Sequence, residues 1–511
     1  MRIVRIAAMA ALVLALGCDR GQRADAPTWR SDCPPVPEEP PMSLEAARTA
    51  HRIAARRHAF QLHEAASPGY LLRTVDAVLD PGELRAGRYC VDEVADLGRL
   101  VFEHEFDFAD GLGGGDGAIR KAGPFRRVHD GRFGGPETIA CTSCHWIGGP
   151  NGAGAETDNA FLVGDGERPG SADARNPPAL LGLGVVQALA REMTVDLQRQ
   201  RAELVRAAGK AGADRESHLV TKGVDYGVMR VTARGDVDAT GLRGVDADLV
   251  VKPFGWKGTL PTIAGFATDA LQVHLGIQNA ILLAAATAET AGSGRDPADP
   301  DGDGKQNELG RAPFVAMVTH LALLEMPIVE PLIQDRNLPA AAEVLLPPTT
   351  TSFVEDFQRG RRRFHELGCA ECHRPMLVLD NPMVELEDEP PIDLSRAMRR
   401  PALTYDADLG GYPVWLFSDL RRHDMGSANR ARHPQLGVAV EQYLTPRLWG
   451  VADSAPYLHD GRAPSLDYAI AGHDGEGAAA RDAYAALDRK AKGDLRVYLM
   501  SLRRAPRLMV P

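Results

Sequence analysis

The chain has 511 residues, a formal net charge of −11 and 44% hydrophobic residues, enough apolar material for two or more buried cores. Its acidic and basic residues are interspersed, which excludes the basic stripe that would bind nucleic acid. Aromatics are sparse at 6%, while 52 glycines and 36 prolines require extensive loops around whatever helices form.

The first segment, MRIVRIAAMAALVLALGC, sets Arg2 and Arg5 before an apolar run from Ile6 to Leu16. It reads as an export signal, too short to stay in a bilayer as a helix. Its ALGC ending resembles the box cleaved in bacterial lipoproteins, with Ala15 where Leu is usual. Lipid anchoring at Cys18 and a periplasmic or outer-envelope location are expected. Residues 19–94 form an N-terminal helical extension, with Ser43 capping a helix of mixed charge.

Next comes ACTSCHWIGG, and after it GCAECHRPM, so that Cys141–Cys144–His145 and Cys369–Cys372–His373 share one spacing. C-x-x-C-H is the attachment sequence of c-type haem: each thiol adds to a vinyl group and the histidine ligates iron. Two covalently bound haems c are expected. A structural zinc site built from the same cysteines would explain neither histidine nor the export signal. Cys33 and Cys90 are left over, as a disulfide suited to an exported protein or as two buried thiols.

The surroundings predict a mainly α fold: two cytochrome c-like haem domains with long loops and a small β excursion. The first domain, 95–346, has a helix upstream of its motif in LGRLVFEHEF. A second helix starts near Ala312, with Phe314, Met317, Val318, Leu321 and Leu324 on one side. The β excursion falls in the Val-, Thr- and Gly-rich stretch from Ser217 to Val251. The second domain, 347–511, follows the linker LPPTTT. Phe353, Phe357, Phe364 and Leu367 give it a helix stopped at Gly368, and Leu495, Tyr498, Leu499 and Leu502 a terminal helix. Between the motifs, DPDGDGKQNELG sets Asp299, Asp301, Asp303 and Asn307 at the first, third, fifth and ninth places of a calcium loop with Gly304 at the turn. Gly310 stands where the closing Glu belongs. A shortened calcium loop using Glu308 and a plain acidic turn are both open.

Five further stretches carry a family resemblance: NPPALLGLGVVQAL (Asn176 to Leu189), KPFGWKGTLPTIAGF (Lys252 to Phe266), YPVWLFSDLRRHDMG (Tyr412 to Gly426), TPRLWGV (Thr445 to Val451) and APYLHDGRAPSLDYAIAGH (Ala455 to His473). Over roughly residues 95–505 the chain resembles the bacterial di-haem oxidoreductases, also called thiol oxidoreductases. These are relatives of the di-haem cytochrome c peroxidases and of the di-haem enzyme that matures methylamine dehydrogenase.

The resemblance implies the site residues. The peroxidases place an axial methionine four residues after the alanine of an EAV-like helix start; counting from Ala469 reaches His473, so His373 and His473 are expected to ligate the second haem, with Met425 the alternative. Arg462, and His459 beside it, face haem propionates or backbone. After the first motif, the loop from Trp146 to Arg191 holds no histidine or methionine. The first haem is therefore expected to keep an open position for chemistry, unless His129, His218 or Met193 folds in. Where relatives keep a distal acid, this chain reads VHLGI. His274 is then a proton shuttle, a sixth ligand or an uninvolved surface histidine, and Asp269 is a substitute acid where His274 is occupied. Trp256 matches the region of an inter-haem tryptophan, and Trp449 is a weaker candidate; plain packing is the alternative for both.

The expected function is an exported, peroxidase-like di-haem oxidoreductase. Electrons would pass from the second haem to the first, which reduces hydrogen peroxide or oxidises an unknown substrate. The alternatives are a non-catalytic electron-transfer cytochrome and an oxygenase-like activity on an apolar substrate. Expected partners are a small electron-donor protein or quinol-linked cytochrome and a small-molecule oxidant, with a homodimer open.

Overall fold

The structure, a computed structural model, describes residues 27–30, 70–113, 128–129, 136–279, 281–283, 299, 304–306, 308–327, 351–397 and 403–504. The signal segment, Cys18, Cys33, the Ser43 helix and the Leu346–Thr350 part of the linker lie outside them. Among the described residues no helix is long and apolar enough to cross a membrane.

The chain is mainly helical. Its principal helices are α1 (Tyr70–Val78), α2 (Val91–Glu103), α3 (Leu183–Ala211), α4 (Ile263–Ala270), α5 (Arg311–Ala322), α6 (Thr351–Glu366), α7 (Leu466–Ala471) and α8 (Arg489–Met500). Two crossed helix pairs organise it. Helix α2 packs on α5, and α6 on α8. Each crossing is close because one partner presents a glycine. A Cβ on Gly98 would lie 1.8 Å from the Ala316 carbonyl oxygen, and one on Gly360 would lie 2.1 Å from that of Asp494. The apolar faces expected from periodicity are buried, with Phe314, Met317, Val318 and Leu321 on α5 and Leu495, Tyr498 and Leu499 on α8. Helix α5 ends at Ala322, so Leu324 is buried from the turn beyond it.

Local chemistry sets the helix ends. Thr262 caps α4 by accepting from Gly265 N at 3.0 Å, and Asp488 caps α8 by accepting from Ala491 N at 2.7 Å. Gly368 stops the segment after α6 at φ +80°, a conformation that needs no Cβ. Cys90, at the start of α2, is disulfide-bonded, and its partner lies outside the described residues.

The β excursion is an antiparallel ribbon of β4 (Arg215–Thr221), β5 (Val224–Val231) and β6 (Val237–Asp238), slightly earlier than the composition suggested. Before it, β1 (Val128–His129), β2 (Ala160–Leu162) and β3 (Asp173–Arg175) make a small sheet. After it come the pairs β7 (Leu377–Leu379) with β8 (Tyr412–Val414) and β9 (Arg422–Asp424) with β10 (Gln442–Leu444). The ribbon reaches across the molecule. Lys222 bonds the Val378 carbonyl at 2.6 Å and Glu192 at 2.6 Å, and the Arg374 guanidinium bonds the Gly223 carbonyl at 2.8 Å.

Candidate functional site

Each Cys-x-x-Cys-His segment forms one tight turn, Cys141–Ser143 in the first and Cys369–Cys372 in the second. All four thiols are free of disulfides. Burial, reinforced by the neighbouring cysteine, pushes the Cys141 thiol up to about 12 and Cys369 to about 11, so both are protonated thiols.

The two motif histidines are anchored alike. The Nδ1 of His145 faces the Gly152 carbonyl at 3.2 Å, and the Nδ1 of His373 faces the Phe417 carbonyl at 3.2 Å. A carbonyl only accepts, so Nδ1 carries the proton and Nε2 keeps its lone pair. Burial lowers both imidazoles to about 4, which keeps them neutral, as a ligand must be. Phe417 is itself fixed by the packing of Phe364 and Tyr498 in the α6–α8 core.

At the second centre a further imidazole completes a pair. His473 follows α7 and donates Nδ1–H to the Ala469 carbonyl at 2.8 Å, leaving its Nε2 free as well. Its ring centroid is 6.3 Å from that of His373. Two metal–nitrogen bonds of about 2.0 Å in line, plus the ring radii, span about 6 Å, so the pair fits one metal held from opposite sides. Met425 stands just beyond β9, its backbone N–H bonded to Glu441 O at 2.9 Å. Cys372 is flanked by His423, which bonds Asp419 and Glu476 at 2.8 Å each, and these carboxylates hold it well above its ordinary value, near 11, against the effect of burial.

The first centre differs. Among the described residues no ring meets His145 as His473 meets His373. His274 is near enough for its charge to lower the His145 pKa, after burial and against hydrogen bonding. It lies in a π-turn, Leu271–Leu275, that continues α4 and ends at Gly276. Such wide turns recur at functional sites. The Glu137 carboxylate bonds His274 Nδ1, and Glu137 N donates back to the His274 carbonyl at 2.7 Å. Burial alone would lower His274, but Glu137, and then Asp269 on α4, outweigh it and raise its pKa. Glu137 had no signal in the sequence: it precedes Cys141 in a loop and meets His274 only in the fold. Of the other candidates for this iron, His218 is exposed and paired with Asp225, Met193 is fully buried in α3, and His129 lies in β1.

Trp256 donates its indole N–H to the Asn176 carbonyl at 2.7 Å, and its own carbonyl accepts from Leu444 N at 3.0 Å. Asn176 lies two residues before Pro178, whose carbonyl bonds His145. On the other side, Ser418 donates to the Thr445 carbonyl at 2.7 Å, next to Phe417 and so to His373. Trp449 is buried instead against Gly182 and bonds the Trp415 carbonyl at 2.6 Å.

Arg462 donates to Asp460 at 2.7 Å and Asn429 at 2.5 Å. His459 stacks on Tyr443 at 4.5 Å, and its carbonyl accepts from Asn176 N. Of the calcium candidates, Asp301, Asp303 and Asn307 lie outside the described residues. Asp299 closes its turn by accepting from Gly304 N at 3.0 Å, and Glu308 accepts from Gln278 N at 2.7 Å.

Residues 341–502 match the family described as "Di-haem oxidoreductase, putative peroxidase", in agreement with the resemblance read from the sequence. No curated protein matches the chain. Among solved structures it is similar to a MauG-like protein associated with microbial copper homeostasis, at 15% identity over 80% of this chain and 88% of that one, TM-score 0.32. It is also similar to the diheme peroxidase BthA of Burkholderia thailandensis E264, at 16% identity over 81% and 86%, TM-score 0.32.

Proposed function

We propose that this chain, whose residues 341–502 carry the di-haem oxidoreductase pattern, is an exported peroxidase-like di-haem enzyme with a division of labour between its centres. Cys141, Cys144, Cys369 and Cys372 would attach two haems c, and His145 and His373 would ligate their irons. When bound, the haems supply one-electron redox chemistry and, at an open iron, peroxide reduction. The observation that carries the reading is the asymmetry. His373 faces His473 at ligand-pair distance, whereas His145 is approached by a histidine tied to a carboxylate.

At the first centre, His274 holds a proton on Nδ1 against Glu137, and Nε2 is the atom that gives or takes a proton at bound oxidant. Asp269 adds to the field that favours the protonated ring. At the second centre, His373 and His473 are the two imidazoles that would hold the metal, and so filled it would supply electron transfer only. Trp256 is bonded to Asn176, two residues before Pro178, and to Leu444, beside the Thr445 carbonyl that Ser418 binds, a position that suits a relay. The electron source is a small donor protein or quinol-linked cytochrome, and the lipid anchor at Cys18 keeps the enzyme at the envelope.

A second reading has its own support: a histidine whose Nδ1 is bonded to a carboxylate is the usual arrangement of a metal ligand. If His274 ligates the first iron, the chain is an electron-transfer cytochrome. Low-temperature EPR of the oxidised holoprotein separates the two. The enzyme reading expects one high-spin and one low-spin iron, with the low-spin signal converted to high spin by His473→Ala. Two low-spin signals in the wild type, one lost on His274→Ala, establish the cytochrome instead. An unchanged spectrum in His473→Ala transfers ligation to Met425.

A further inference from the structure

Two cations are buried where the two halves of the chain meet. Arg175, on β3, is 7% exposed; its Nη1 donates only to the adjacent Ala174 carbonyl at 2.8 Å, and its Nε has no partner. Lys257, one residue after Trp256, is 0% exposed and donates to the Ala439 and Val440 carbonyls at 3.1 and 2.7 Å. Its ammonium lies 3.6 Å from the centroid of the Tyr443 ring, and the Arg175 guanidinium lies 6.0 Å from the same centroid. Among the described residues neither cation has a carboxylate within ion-pair distance. The nearby acids are engaged elsewhere: Asp173 accepts from Arg432 N and His433 N, and Asp460 pairs with Arg462. Burial and the Arg175 charge lower Lys257 to about 7, and burial with Arg175, Arg462 and Lys257 lowers His459 to about 4, against Asp460. A buried, unpaired charge is costly, and proteins hold such charges for an anion.

We infer that Arg175, backed by Lys257 and flanked by Arg462, forms a carboxylate-binding pocket that receives a propionate of the haem seated on His145. The inference rests on the di-haem reading above and deepens it. The first haem is favoured because Arg175 belongs to the segment that frames His145: Pro178 bonds the imidazole, and Asn176 binds the Gly154 carbonyl through its side chain at 3.1 Å. An arginine serves a carboxylate through its planar fork, whereas Lys257 acts here as a field, two of its three donors bonding the Ala439 and Val440 carbonyls and its ammonium lying against the Tyr443 ring. The pocket ties haem seating to the contact between halves, because Tyr443, His459 and Arg462 come from the C-terminal half and Arg175 and Lys257 from the other. It also places positive charge beside the first haem, which favours the reduced iron.

The test uses the holoprotein and Arg175→Met, with Lys257→Met as a second variant should the first fold poorly. Wild type must first carry two haems by alkaline-pyridine absorbance; if it does not, the di-haem reading fails and not this pocket alone. With two haems present, Arg175→Met is expected to shift the propionate-bending bands in the resonance Raman spectrum and to lower the midpoint potential of the first haem only. Lys257→Met lowers that potential with little change in the Raman bands. Unchanged bands and potentials in both variants overturn the inference, as does a fall confined to the second haem. Wild-type potentials or melting that depend on added phosphate or chloride identify a free anion as the occupant and also overturn it.

Discussion

Glu137 and His274 are 137 residues apart in the chain, yet each holds the other by side chain and backbone. The raised His274 pKa makes this contact pH-dependent. A group whose folded pKa is raised stabilises the fold fully below its unfolded value, about 6.5, and that stabilisation is lost as pH rises through the folded value. Glu137→Gln should therefore cost more at about pH 5.5 than at about pH 9. The difference is on the order of 1 kcal/mol or less, because His274 is 34% exposed and partly screened. Urea unfolding at the two pH values measures it, and an equal loss at both would show that Glu137 acts only by packing. His145 and His373 were legible from spacing because covalent attachment demands adjacency. Glu137 was not, since nothing local in PETIAC distinguishes its carboxylate from any loop acid.

The helix pairs α2–α5 and α6–α8 repeat one solution to close packing, a glycine where the axes cross. Gly360→Ala must push its methyl into the Asp494 carbonyl, and a cost of about 1–3 kcal/mol or more is expected. Gly493, on α8 with nothing within 4 Å of its Cβ position, is the control: Gly493→Ala should stabilise by about 0.5–1 kcal/mol. Thermal melting of the two variants checks this, and equal shifts would refute the close crossing. The apolar periodicity of α5 and α8 marked these helices in advance, because burying one stripe imposes a 3.6-residue pattern. Which helix each stripe faces is a tertiary matter, and only the glycine contacts reveal it.

Across the whole molecule, the ribbon of β4 and β5 staples distant parts together. Lys222 is 11% exposed and holds Glu192, Asp380 and the Val378 carbonyl at once. Lys222→Met leaves the partly buried Glu192 carboxylate without its cation, held only by Asp380 N and Asn381 N, and a loss of about 1–3 kcal/mol is expected. Faster limited proteolysis should accompany it, and an unchanged melting temperature and digestion rate would show the staple to be incidental. The β character of this ribbon was readable from composition, its bridging role was not. By itself the sequence determined the two thiol–imidazole turns and the helices around them, because attachment spacing and amphipathic period are local demands. The family resemblance had already paired His473 with His373; the tertiary structure alone decided that Glu137 captures His274 and that Arg175 and Lys257 share Tyr443. Those meetings join residues scores to hundreds of positions apart, and only the packing of the helix pairs fixes which of them touch.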